Sequence, residues 1–126
     1  MLRLALLFSI VMVLFDVAAA TFAKATSVDY GQFVLLSVFL YIGAGILAGR
    51  KIRNWFAMFS IIIGAVVEAL LGGYLAALIG PGAQAPGMSD AYYYGTAVFA
   101  VLLNVVMGAI GVAVGIRVGR AQRRPV

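Results

Sequence analysis

Two carboxylates stand inside runs that otherwise read as membrane helix: Asp16 in the first apolar run and Glu68 in the third. An acid near the bilayer centre costs about 2.5–3.5 kcal/mol on insertion scales, so such a residue is a candidate functional site by default. Two acids held together in low dielectric cannot both ionise cheaply, and the pair can hold a single proton. With the amide oxygen of Asn104 and the phenol of Tyr41, the same acids could instead take a monovalent or organic cation. Protonated, they could also bond helices together as structural glue, or dock a membrane partner.

Other chemistry is excluded by composition. Cysteine and histidine are both absent, which removes disulfides, thiolate and imidazole metal sites, and Cys or His catalysis. No phosphate cradle or nucleophile constellation is present, so neither an enzyme nor a resident metal or cofactor is expected. The net charge of +5 and pI near 10.0 arise from basic residues at helix ends, where anionic lipid headgroups are the expected partner and nucleic acid is not.

The elements that must position these groups follow from hydropathy. Of 126 residues, 65% are hydrophobic and 10% charged, with a mean hydropathy of +1.13. A soluble domain of this size cannot hide that much apolar surface, whereas a bilayer can. The expected fold class is an all-α membrane protein, a four-transmembrane-helix bundle with short loops forming one domain over 1–126. Its spans fall at about 4–23, 31–49, 55–79 and 91–116, each able to cross a core ~30 Å thick at ~1.5 Å per residue, the second only with its flanks. Arg3 and the small residues Ala18, Ala19 and Ala20 also suit a signal peptide, but the acid at position 16 argues for a retained helix.

Orientation follows from the basic residues. Arg3 precedes the first helix. Arg50, Lys51 and Arg53 join the second and third, and Arg117, Arg120, Arg123 and Arg124 follow the fourth. The other two connections hold Lys24, Asp29 and Asp90. The positive-inside rule then predicts both termini in the cytoplasm of a bacterial cell, with the chain in the inner membrane. Trp55 at one boundary and Tyr92, Tyr93 and Tyr94 at the other suit interfacial aromatic belts. Gly80-Pro81-Gly82 predicts a helix stop, Pro86-Gly87 the continuation of an outer loop, and Ser89 or Asp90 an N-cap.

Small residues predict how the helices meet. Lipid offers no hydrophobic drive for association, so close backbone approach at glycine must supply dispersion contacts. Gly45 and Gly49 (with Gly43 nearby) mark one face of the second helix, Gly64, Glu68 and Gly72 one stripe of the third, and Asn104, Gly108, Gly111, Gly115 and Gly119 one face of the fourth. Glu68 and Asn104 are therefore expected to face protein, and Asp16 shares its small face with Ala19, Ala20 and Ala23. Counting from the span edges places Asp16 ~18 Å and Glu68 ~20 Å from one side, Asn104 ~15 Å from the other, and Tyr41 ~12 Å below Phe33. The four groups are expected to converge on one layer. A two-plus-two repeat is also visible, with an aromatic six residues after each acid (Asp16 to Phe22, Glu68 to Tyr74) and a basic end to each half.

The stretch from Phe15-Asp16-Val17 through Thr21-Phe22-Ala23-Lys24 resembles the first helix of small multidrug resistance transporters, in which a membrane acid is followed at similar spacing by Thr and Lys. That resemblance implies proton exchange for organic cations by an antiparallel dimer. It covers about ten residues; the other three helices lack the pattern, and the one-sided charge departs from dual topology. Over most of the chain, Phe15-Asp16, Tyr41-Ile42-Gly43 through Ala48-Gly49-Arg50, and Gly64 through Glu68 to Gly72 and Ile79-Gly80-Pro81-Gly82 resemble small uncharacterised bacterial four-helix inner-membrane proteins. This second resemblance implies fold and location only. The expected function is a proton- or cation-coupled transporter or ion-binding bundle, acting as a homo-oligomer; the alternative is a non-catalytic accessory subunit of a larger membrane complex.

Overall fold

The computed structural model describes residues 2–26, 30–79 and 89–122, which are all-helical, with no strand among them. Helices α1 (Leu2–Thr26), α2 (Tyr30–Ile52), α3 (Ala57–Val67), α4 (Gly73–Ile79) and α5 (Asp90–Ala121) follow in order. A π turn at Glu68–Gly72 joins α3 to α4, so 57–79 runs as one continuous helix. Three helices are long and apolar enough to cross a membrane, in the windows Leu2–Thr26, Leu35–Ile52 and Val98–Ala121; the run Ala57–Gly72 is equally apolar but shorter. Asp29, Gly80, Pro81, Gly82, Pro86, Gly87, Arg123 and Arg124 lie outside the described residues, as do the side chains of Asp90, Tyr92, Tyr93 and Tyr94.

Local chemistry sets the turn between α2 and α3. Arg53 adopts a left-handed backbone (φ 64°) and donates its N–H to the Gly49 carbonyl at 2.8 Å, the C-terminal cap that glycine usually supplies. The Asn54 side chain then accepts the Phe56 N–H at 2.9 Å, and the Asn54, Trp55 and Phe56 carbonyls accept the N–H groups three residues on. The third helix therefore begins at Ala57, after Trp55 rather than at it.

Packing inverts the usual inside–outside pattern of a water-soluble helix. On α5, Val98, Leu102, Val106, Ile110, Val114 and Val118 recur every fourth residue and are all exposed, whereas Asn104, Gly108, Gly111, Gly115 and Gly119 on the opposite face are buried. On α1, Leu2, Leu6, Ile10 and Leu14 form a matching exposed stripe. Large apolar side chains facing outward and small or polar ones facing inward suit a hydrocarbon solvent and not water.

The most extensive interface joins α2 to α5, and it is backbone on backbone. The Gly45 Cα lies beside Gly108, Gly111 and Val112, Gly49 beside Val112 and Ile116, Gly111 beside Ile42 and Gly45, Gly115 beside Ile46 and Arg50, and Gly119 beside Arg50. Residue numbers rise together along both helices, so α2 and α5 run parallel. The same holds for α1 and α3, where Phe8 meets Gly64 and Asp16 meets Gly72. Phe8, Met12, Tyr41, Ile61 and Val112 fill the centre. Because α2 and α5 are parallel and in register, their basic ends gather at one end of the molecule, where Arg50 Nε donates to Gln122 Oε1 at 3.1 Å.

Candidate functional site

The site is built where three helices present polar groups to one another. Asp16 is the sole acid of α1 and is buried at 5% exposure. Its carboxylate sits directly against the Cα of Gly72, in space that any Cβ at that position would occupy. Gly72 closes the π turn that Glu68 opens. One extra residue in that turn breaks the 3.6-residue rhythm locally, a departure often found at functional positions. Glu68, one turn before Gly72, opens the same stretch of helix against which Asp16 packs.

Tyr41 completes the cluster. Its hydroxyl donates to Glu68 Oε2, and its residue is 1% exposed. The ring is held edge-on by Phe8, with centroids 5.0 Å apart and planes at 88°, an arrangement in which the ring edge meets the partner's electron-rich face. Phe8 is seated in turn over Gly64, which leaves room for the ring because it has no Cβ. Thus two glycines on α3 and the π turn each accommodate one α1 side chain: Gly64 takes Phe8, and Gly72 takes Asp16.

Asn104 pairs elsewhere. Its Nδ2 donates to Ser37 Oγ at 3.2 Å, and Ser37 Oγ lies 3.5 Å from Asn104 Oδ1. Both residues are buried at the α2–α5 interface. Ser37 stands one helical turn from Tyr41 on the same face, so the polar groups form two adjacent sets, Asp16–Glu68–Tyr41 and Ser37–Asn104. Ser37 belongs to a stripe of Ser37, Tyr41, Gly45 and Gly49 at four-residue spacing, and that periodicity is the signal by which the sequence alone could have marked it. Phe8 carries no comparable mark among the many large apolar residues of α1.

Among the described residues no group of three or more acidic, His or Cys side chains could hold a metal ion. The two halves of the chain also differ at the acid itself: α1 is uninterrupted α-helix through Asp16, while Glu68 lies in a π turn. Phe22 and Tyr74, which follow the acids at equal spacing, are both exposed. Of the basic residues, Arg50 is bonded to Gln122, Lys51, Arg117 and Arg120 are exposed, and Arg53 is half-buried. No protein-family model, curated protein sequence or solved structure matches the chain.

Proposed function

We propose that this protein is a four-span bundle of the bacterial inner membrane, with both termini cytoplasmic, that handles protons through the Asp16–Glu68 pair. The observation that carries this reading is the geometry: Asp16 of α1 packs against Gly72, which closes the π turn that Glu68 opens, and Tyr41 of α2 donates to Glu68. The two acids share one proton, and a monovalent or organic cation entering between them displaces it. A glue role needs one hydrogen bond between helices, and an Asn–Ser pair such as Asn104–Ser37 already provides that without an acid.

The fourth span in this reading is 57–79, whose 23 residues reach ~34 Å, sufficient for the hydrocarbon core. Arg50, Lys51, Arg53, Arg117 and Arg120 meet anionic headgroups at the cytoplasmic face. A bundle this thin leaves broad apolar faces on α1 and α5 for lipid or for further copies of the chain, so a homo-oligomer is the expected working form. One observation favours an accessory subunit instead: Asp16 and Tyr41 are closed off at 5% and 1% exposure.

The test uses proteoliposomes loaded with a pH-sensitive dye. Imposing a Na⁺, K⁺ or tetraalkylammonium gradient is expected to move protons in wild type. Asp16→Asn and Glu68→Gln are expected to abolish that movement while inserting normally. Proton movement unchanged in both variants overturns the reading.

A further inference from the structure

We propose that the seam between α1 and α2 binds one acyl chain of an anionic phospholipid, whose ester carbonyl accepts a hydrogen bond from the Ser60 hydroxyl. The seam holds a cavity of about 300 Å³, walled by Leu4, Leu7 and Val11 on α1 and by Phe39, Gly43 and Leu47 on α2, with Ser60 of α3 at its floor. From Leu4 to Val11, and from Phe39 to Leu47, the walls extend about 10–12 Å. The mean cross-section is then roughly 25–30 Å². That is wide enough for one extended hydrocarbon chain and far too narrow for a helix, whose diameter with side chains is about 10–12 Å. Its volume is about twice that of the 150 Å³ apolar cavity known to take benzene.

Two independent features mark the cavity as built for an occupant. The first is Ser60. It is 2% exposed, and its Oγ has no hydrogen-bond partner. Other hydroxyls of the chain donate to the carbonyl four residues back: Ser9 at 2.7 Å, Thr21 at 2.8 Å and Thr26 at 2.7 Å. For Ser60 that carbonyl belongs to Phe56, which precedes α3 and already accepts the Phe59 N–H. A buried hydroxyl without a partner is costly, and a ligand oxygen in the cavity relieves it. The second feature is Gly43. Gly45 and Gly49 on the same helix are pressed against α5 backbone, yet a Cβ at Gly43 would meet nothing within 4 Å. Helix packing therefore does not require this glycine, and its missing side chain keeps the wall open.

Charge selects the lipid. Arg3 directly precedes Leu4, and Arg50 and Lys51 follow Leu47 within one turn, so the cavity ends at the basic rim of the molecule. A chain lying in the seam from that end places its headgroup among these cations.

Native mass spectrometry of the protein released from its own membrane in mild detergent tests the assignment. Wild type is expected to retain one phospholipid, and after delipidation to bind phosphatidylglycerol at least fivefold more tightly than phosphatidylcholine of equal chain length, the effect of about one basic side chain at the surface. Gly43→Leu, which fills the cavity, is expected to abolish the adduct. Ser60→Ala removes a hydroxyl with no protein partner, so folding is not at stake, and is expected to weaken binding about fivefold. An adduct that is not a phospholipid overturns the proposal. So does a wild-type protein free of lipid, equal retention by wild type and both variants, or equal affinity for the two phospholipids.

Discussion

The α2–α5 seam makes a sharp prediction, because two glycines two residues apart should respond oppositely to the same methyl group. At Gly45 a Cβ would collide with the Gly108 carbonyl oxygen and stand 2.9 Å from Val112 N and 3.1 Å from Gly111 C. All three are backbone atoms, so no rotamer change relieves them. Ordinary contact begins near 3.4 Å, so Val112 N alone demands 3.4 − 2.9 = 0.5 Å of separation, and Gly108 demands more. A radial gap of 0.5–1 Å forfeits about a quarter to a half of each dispersion contact, and overpacking of this kind costs about 1–3 kcal/mol. At Gly43 the same methyl enters open space and gains only the helix preference of alanine over glycine, about 0.5–1 kcal/mol. Both variants share that gain, so the difference between them isolates the steric cost. Reversible unfolding of Gly45→Ala and Gly43→Ala in mixed micelles, followed by circular dichroism, measures it. Gly45→Ala should be less stable than Gly43→Ala by about 1–3 kcal/mol; equal stabilities would falsify the backbone-on-backbone interface.

The remaining predictions concern the polar groups. Tyr41→Phe keeps the edge contact with Phe8 but removes the donor to Glu68, and should cost about 1–3 kcal/mol in the same unfolding assay. Gly72→Ala drives a methyl into the Asp16 carboxylate, the far end of a movable side chain. Stability should change by less than about 1 kcal/mol, while the infrared carboxyl band of Asp16 shifts as its carboxyl is displaced; an unshifted band would remove Gly72 from the site. Asn104→Leu at the α2–α5 interface removes one interhelical bond worth about 0.6 kcal/mol on average in membranes, and should leave cation-driven proton movement intact. Loss of that movement would return Asn104 to the acid cluster. Arg53→Gly relieves a left-handed backbone and should stabilise the fold by about 1 kcal/mol, read as a rise in unfolding midpoint.

Much of the architecture is contained in one-dimensional patterns. Apolar runs of membrane length, basic residues concentrated in alternate connections and glycines at helical spacing follow from composition, hydropathy and the 3.6-residue period, with no need of tertiary contacts. The period also marks Asp16, Glu68, Tyr41 and Asn104 as residues of small or polar faces. What it leaves open is which face meets which, since that depends on register between helices distant in sequence. Tertiary packing alone brought Asp16 to Gly72 at the end of the turn that Glu68 opens, bonded Tyr41 to Glu68, and gave Asn104 to Ser37 instead of to the acids. It also separated glycines that read alike: Gly45 and Gly49 touch backbone, while Gly43 opens a cavity. The π turn at Glu68–Gly72 has no signature in composition. Its closing residue, Gly72, meets Asp16 of the parallel neighbour, a contact that only the assembled bundle makes.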